Sequence, residues 1–293
     1  MAMKLGLACA GCLGVFVGAA AAADLPATTQ LWSLGGFNNP ESVYDDAARG
    51  VLYVSNVNGT PLDKDGNGYI SRVTPDGKLE TLKWIEGLNA PKGMVMQGAK
   101  LYVSDIDRLI EIDAVAGKIA NSYPAEGAIF LNDTAVDAAG NVYVSDIAAR
   151  KIWQLKDGKM SIWYGDDGLM HPNGLRVEGG KLIVAGWGRD MHDDGSTTVQ
   201  GNLFTIDLAT KALDNLGGGQ PIGNLDGLER DSAGNFLVTD WFHGALFRIR
   251  EDGSYDTLLD LNQGSADLEV VDDGKTAIVP MMMDNAITAY SIP

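Results

Sequence analysis

Six residues at one repeated register, Glu41, Lys92, Asn132, Asn173, Asp226 and Asp267, open six copies of the same short phrase. Glu41-Ser-Val-Tyr-Asp-Asp46 runs into Val-Leu-Tyr-Val-Ser, and Asn132-Asp-Thr-Ala-Val-Asp137 precedes Val-Tyr-Val-Ser-Asp. An acid or Gln stands five positions after every opening residue, so the register is not arbitrary. All of the openers except Lys92 carry side-chain oxygens. Glu41, Asn132, Asn173 and Asp226 together offer two carboxylates and two amides, with neither sulfur nor histidine. Hard oxygen donors suit Ca²⁺ best, with Mg²⁺, Mn²⁺ or Zn²⁺ as lesser options. Taken one at a time, Asn or Asp followed by Gly is an ordinary turn pair. Four such donors at one register around one axis read as a metal site.

The elements that must hold these residues follow from the repeat. Taking the central apolar residue of each Tyr-Val-Ser-like segment gives Val54, Val103, Val144, Val184, Val238 and Ile278, spaced by 49, 41, 40, 54 and 40 residues. Residues 24–293 divide into six units of about 45 residues, the length of a β-propeller blade. Each unit has an opener strand, a short Asp/Gly turn, an alternating apolar strand and further strands such as Arg150-Lys-Ile-Trp-Gln-Leu155. The expected fold is all-β, one six-bladed propeller with four-stranded blades over residues 24–293. Its last blade is completed by Gln30-Leu-Trp-Ser-Leu34 beside Thr288-Ala-Tyr-Ser-Ile292. Strands of a blade alternate in direction, so the openers share one face with the loops joining second to third strands. Trp187, Trp241 and Met281-Met282-Met283 belong to those loops, and a Met cluster there is ordinarily packing.

Residues 1–23 read as a cleaved secretory signal: Lys4, a Gly/Ala/Leu/Val stretch, then Ala21-Ala22-Ala23 before Asp24. Ala10-Gly11-Cys12 is a weaker pattern for a lipid anchor. Both cysteines, Cys9 and Cys12, lie in this leader, which excludes thiolate catalysis and thiolate metal sites in the remainder. The expected location is periplasmic or secreted, in a fold that relies on a large core rather than disulfides. A net charge of −17 with no basic run excludes nucleic acid and anionic lipid as partners. Cations and small molecules remain, and the mature domain is expected to be a monomer without membrane insertion.

His171 precedes Pro172-Asn173 and would stand at the mouth, which makes it the proton-transfer candidate among the three histidines; His192 and His243 lie on loops of the same face. Asp63-Lys-Asp65-Gly-Asn67-Gly68 matches the first half of a Ca²⁺-binding loop, but Thr74 replaces the closing Glu and no helices flank it. Asp63, Asp65 and Asn67 are thus a second candidate cation loop, with a Gly-rich hairpin tip as the alternative. No nucleophile elbow, phosphate-binding loop or dinucleotide fingerprint occurs.

With Pro40-Glu41, Asn132-Asp133, Pro172-Asn173-Gly174-Leu175 and Asp226-Gly227-Leu228 in place, the chain resembles the family of senescence marker protein, gluconolactonase and luciferin-regenerating enzyme. Paraoxonase and strictosidine synthase are more distant six-bladed relatives. The resemblance implies that Glu41, Asn173 and Asp226 hold a divalent metal, with Asn132 binding metal, substrate or a bridging water. It also implies hydrolysis of a lactone or related ester, with Asp226 helping to activate water. A non-catalytic propeller that binds a ligand or protein and keeps the metal for structure is the alternative. Two departures stand out. Sugar-lactone members carry Arg two residues before the Asn matching Asn132, where this chain has Phe130, and a phenyl ring cannot grip hydroxyls as a guanidinium does. Lys92 as an opener puts a cation beside the metal, to pair with Asp267 or hold a substrate carboxylate, unless it faces solvent. With Trp187 and Trp241, these features predict a substrate pocket more apolar than a sugar site.

Overall fold

The computed structural model describes residues 27–166 and 168–293. The expected leader, with Lys4, Cys9, Cys12 and the Ala21–Ala23 cleavage pattern, lies outside the described residues. Six antiparallel four-stranded sheets make up the ring. Their innermost strands are Pro40–Asp46, Pro91–Gln97, Leu131–Val136, Pro172–Glu178, Leu225–Arg230 and Glu269–Val271. Each packs against the innermost strand of the next blade, and the sixth returns to the first. The fold is the six-bladed β-propeller that the repeat predicted. Among the described residues no helix is long and apolar enough to cross a membrane.

Side chains alternate along a strand, so a second strand buried on both faces serves two cores. In blade 1, Val51 and Tyr53 pack with Met94, Leu101 and Val103 of blade 2. Leu52 and Val54 point the other way, against Ile278, Ile287 and Ala289 of blade 6. The same division repeats around the ring, with one apolar cluster at each interface between blades. This is why the second strands read as unbroken apolar runs. Asp157 and Gly158 both adopt positive φ between the last two strands of blade 3, as an Asp-Gly hairpin turn requires.

Closure comes from the N-terminus. Strand Thr29–Gly35 pairs antiparallel with Ala286–Ser291, matching Gln30 to Tyr290 and Leu34 to Ile287. The Ser33 and Thr288 hydroxyls meet at 2.9 Å, and Trp32 and Leu34 pack on the core shared with blade 1.

Candidate functional site

A one-residue bulge builds the site in every blade. In blade 1, Pro40 pairs with Asn56 and Val43 with Val54, leaving Glu41 and Ser42 against Ser55 alone. The same slip falls on Lys92-Gly93, Asn132-Asp133, Asn173-Gly174 and Asp226-Gly227. In blade 6 the bridge from Ser265 to Met281 and the pair Glu269–Ile278 again leave one residue too many on the inner strand, around Asp267. A bulge breaks the alternation and re-aims a side chain, so each opener turns from the sheet toward the axis. The unpaired amide of the following residue is then satisfied by the hydroxyl of the Tyr-Val-Ser segment. Ser55 accepts from Ser42 N–H, Ser145 from Asp133 N–H, and Thr239 from Gly227 N–H. Glycine follows three of the openers because the neighbouring blade leaves no room. A Cβ at Gly174 would lie 2.0 Å from the Asp226 carbonyl, and one at Gly227 2.4 Å from the Leu268 nitrogen.

Glu41, Asn132, Asn173 and Asp226 are all buried, none more than 5 % exposed. Glu41 Oε2, Asn132 Oδ1, Asp226 Oδ1 and both polar atoms of the Asn173 amide have no hydrogen-bond partner among the described residues. Buried polar atoms without partners cost about 1–3 kcal/mol each, so five of them on four equivalent residues demand an explanation. Burial holds both carboxyls well above the usual carboxylate range, helped at Glu41 by the charge of Asp226 and at Asp226 by that of Asp133. The Asn173 amide counters this slightly at Asp226, although no hydrogen bond of standard geometry joins them. Lys92 attracts Glu41 and works in the same opposing sense. This donor set of two carboxylates and two amide oxygens fits a hard divalent cation. Among the described residues no group of three or more His, Cys, Asp or Glu is gathered as a metal cluster. Any ion here therefore relies on the amide oxygens.

Lys92 is buried and points inward. Its ammonium donates to the carbonyls of Ala90 at 2.8 Å and Pro61 at 3.0 Å, and lies 5.0 Å from the centre of the Phe130 ring. The suggested pairing with Asp267 does not form. Asp267 instead accepts from the Ser42 hydroxyl at 2.6 Å, and the carboxylates that act on Lys92 are Glu41 and Asp105. Phe130 is held by its backbone, its N–H donating to Asp146 at 3.1 Å. Asp105 does the same for Asn89 and Ala90, and Asp240 caps Phe242 and His243. These three Asp residues, which fix the mouth loops, escaped the sequence reading. Their signal was the acid closing Val-Ser-Asp and Val-Thr-Asp in blades 2, 3 and 5.

His171 sits in the left-handed region at φ +48, and its Nδ1 donates to the Ile147 carbonyl at 2.8 Å. That bond fixes the tautomer and leaves Nε2 as an acceptor. His243 is half-exposed and pairs with Asp240 at 3.1 Å, while His192 touches Thr198. Trp187 and Trp241 lie 5.9 Å apart, with the Trp187 indole N–H donated to Gly195 in the hairpin of Gly188–Met191 and Thr197–Gln200. The three Met residues do not gather into a ligand set: Met281 is buried in blade 6, Met282 packs on Val57, Ala90 and Ile106, and Met283 is exposed. In the Asp63 loop, Asp65 is engaged by the backbone and amide N–H groups of Asn67, and Lys64 pairs with Asp107.

Beyond the bulges, a cavity of about 340 Å³ is lined by Tyr44, Asp133, Arg176, Glu229, Glu269 and the sixth opener, Asp267. Asp133 accepts from the Leu175 and Thr134 amides, and Glu229 pairs with Arg176. Burial, then the charge of Glu229, raises Glu269 to about 8. A carboxyl raised in the fold contributes stability that is complete below its unfolded value of about 4.3 and is lost as pH climbs through the folded one. Cation-free protein is therefore expected to melt at progressively lower temperature between pH 5 and pH 8. Glu269→Gln should flatten that slope in thermal scans, and an unchanged slope would remove Glu269 from the account.

No family model matches the sequence, and no curated protein matches it. Solved structures do. A protein provisionally named a gluconolactonase is 19% identical, covering 90% of this chain and 91% of its own, with a TM-score of 0.64. A streptogramin B lyase is 10% identical over 91% and 97% of the two chains, with a TM-score of 0.62. Virginiamycin B lyase from Staphylococcus aureus, solved as an inactive variant with quinupristin, is 13% identical over 91% and 100%, with a TM-score of 0.59. At these identities the likeness is one of fold, and the chain is a six-bladed propeller of the architecture found in these proteins.

Proposed function

We propose that this chain is an exported hydrolase of lactones or related esters that depends on a divalent cation, most suitably Ca²⁺, at the axial openers. One observation carries the reading: four buried side chains at equivalent bulges leave oxygen atoms without partners. Glu41, Asn132, Asn173 and Asp226 would hold the ion, which when bound supplies polarisation of the substrate carbonyl. The neighbours of the same fold, which include a gluconolactonase and two lyases by name, support an enzyme over a purely structural propeller.

The roles of the side chains follow from their chemistry. Asp226 takes the proton of an attacking water as its oxygen bonds to the carbonyl carbon. The ring carbon–oxygen bond then breaks, and the departing alkoxide takes up a proton. His171, with Nε2 free to accept, is the group suited to shuttle it at the mouth. Phe130, Trp187 and Trp241 would supply apolar walls at the mouth, which would favour substrates with hydrocarbon substituents.

The test is a screen of aliphatic lactones and esters with chelated and with Ca²⁺-restored protein. Turnover lost on chelation and recovered on restoration is the expected result. Cation binding without turnover of any lactone or ester would favour the binding propeller instead.

A further inference from the structure

Lys92 is the one opener that brings a positive charge to the ring. It occupies the blade between Glu41 and Asn132, at the same bulge as the oxygen donors. Its hydrogen bonds go to two backbone carbonyls rather than to a carboxylate, and the Phe130 ring covers it. Carbonyl dipoles stabilise an ammonium without cancelling its net charge, so the field of Lys92 reaches the neighbouring openers. Burial pulls its pKa down to about 8, against the attraction of Glu41 and Asp105. The nearest further acid of the ring, Asp267, is turned to Ser42.

We propose that Lys92 sets the charge preference of the axial cation site, lowering its affinity for every cation and disfavouring trivalent ions over divalent ones. This rests on the reading of Glu41, Asn132, Asn173 and Asp226 as a cation site. Two carboxylates balance the charge of a dication. A third positive charge held in the same ring repels any bound ion in proportion to that ion's own charge. The arrangement would keep the ion exchangeable and leave the mouth positive toward an anionic or developing oxyanion group.

The experiment is titration of the intact protein with Ca²⁺ by calorimetry and with Tb³⁺ by sensitised luminescence, comparing wild type, Lys92→Met and Lys92→Gln. Methionine preserves the length and the packing under Phe130. Glutamine keeps hydrogen-bond donors for Ala90 and Pro61 while removing the charge, so a loop released by lost bonds is distinguished from a change of field. Both variants are expected to bind Ca²⁺ at least about tenfold more tightly. Because repulsion scales with ionic charge, the logarithm of the gain for Tb³⁺ should be about one and a half times that for Ca²⁺. Equal or weaker binding by both variants, with wild type binding normally, overturns this proposal and leaves Lys92 as a strut for the Pro61 loop. An equal gain for the two ions overturns the charge argument. Failure of wild type and both variants to bind either ion overturns the cation site itself.

Discussion

Replacing Asp226 with Ala is expected to abolish cation binding and lactone hydrolysis together. Asp226 is one of only two carboxylates among the four donors, and its Oδ1 has no hydrogen-bond partner among the described residues. Removing it takes half of the negative charge facing the ion and, with it, the group assigned to accept the proton of water. Loss of a positioned base alone lowers rates by about 10²–10⁴-fold, and loss of the ion compounds this. Asn132→Ala should weaken turnover less, since a neutral amide contributes less to holding charge. Stability should move the other way. Asp226→Asn removes a buried carboxyl whose charged form burial already disfavours, so the cation-free variant should melt no lower than cation-free wild type. Calorimetric Ca²⁺ titration, kcat/KM on an aliphatic lactone and thermal scans of the three variants decide the matter. Near-normal turnover in Asp226→Ala would end the hydrolytic assignment of this residue and favour the binding propeller.

The second large effect concerns substrate choice. An alkyl chain buried against Phe130, Trp187 and Trp241 gains about 0.8 kcal/mol per methylene, roughly fourfold in kcat/KM per carbon until the space is filled. A gluconate-type lactone gains nothing comparable and leaves hydroxyls poorly paired against a phenyl ring. A graded series of alkyl lactones should therefore outperform gluconolactone by two orders of magnitude or more at about four added carbons. Phe130→Arg should narrow the gap, with a complication visible only in the structure. The ammonium of Lys92 lies 5.0 Å from that ring, so the new guanidinium would meet a like charge. The double variant Phe130→Arg/Lys92→Met relieves the repulsion and should narrow the gap further. A clear advantage for gluconolactone in the wild type would remove Phe130 from the pocket.

The fold was legible because both of its generating signals are local. Alternation in the second strands and the acid or Gln five residues past each opener recur with the blade, and the closing strand shows as a spare apolar segment at the N-terminus. The openers were legible for the same reason, but the cause of their placement was not. A bulge is a mismatch between two strands, and no single strand's sequence displays it. Lys92 was ambiguous in sequence because its inward turn depends on the carbonyls of Ala90 and Pro61, the second of them in another blade's loop. The partner of Asp267 was hidden for a similar reason, since Ser42 reaches it only across the closure of the ring. The cavity acids Glu229 and Glu269 lie three and two residues beyond their openers, where ordinary alternation resumes and turns them to the axis.

The way the ring is sealed has consequences for how the chain comes to be folded at all. Thr29 meets Ser291 across 262 residues, and no earlier contact can stand in for that pairing. Until Ala286–Ser291 has been made, Thr29–Gly35 has no strand to pair with and blade 1 has no neighbour on one side, so the first strand stays open to other chains. Docking of the first strand is then the late, long-range step, slow in proportion to the chain entropy it must overcome. A chain that cannot complete itself early remains unfolded for longer after synthesis, and its solubility in that interval depends on charge. The strong net negative charge would keep such open chains apart while the ends find one another.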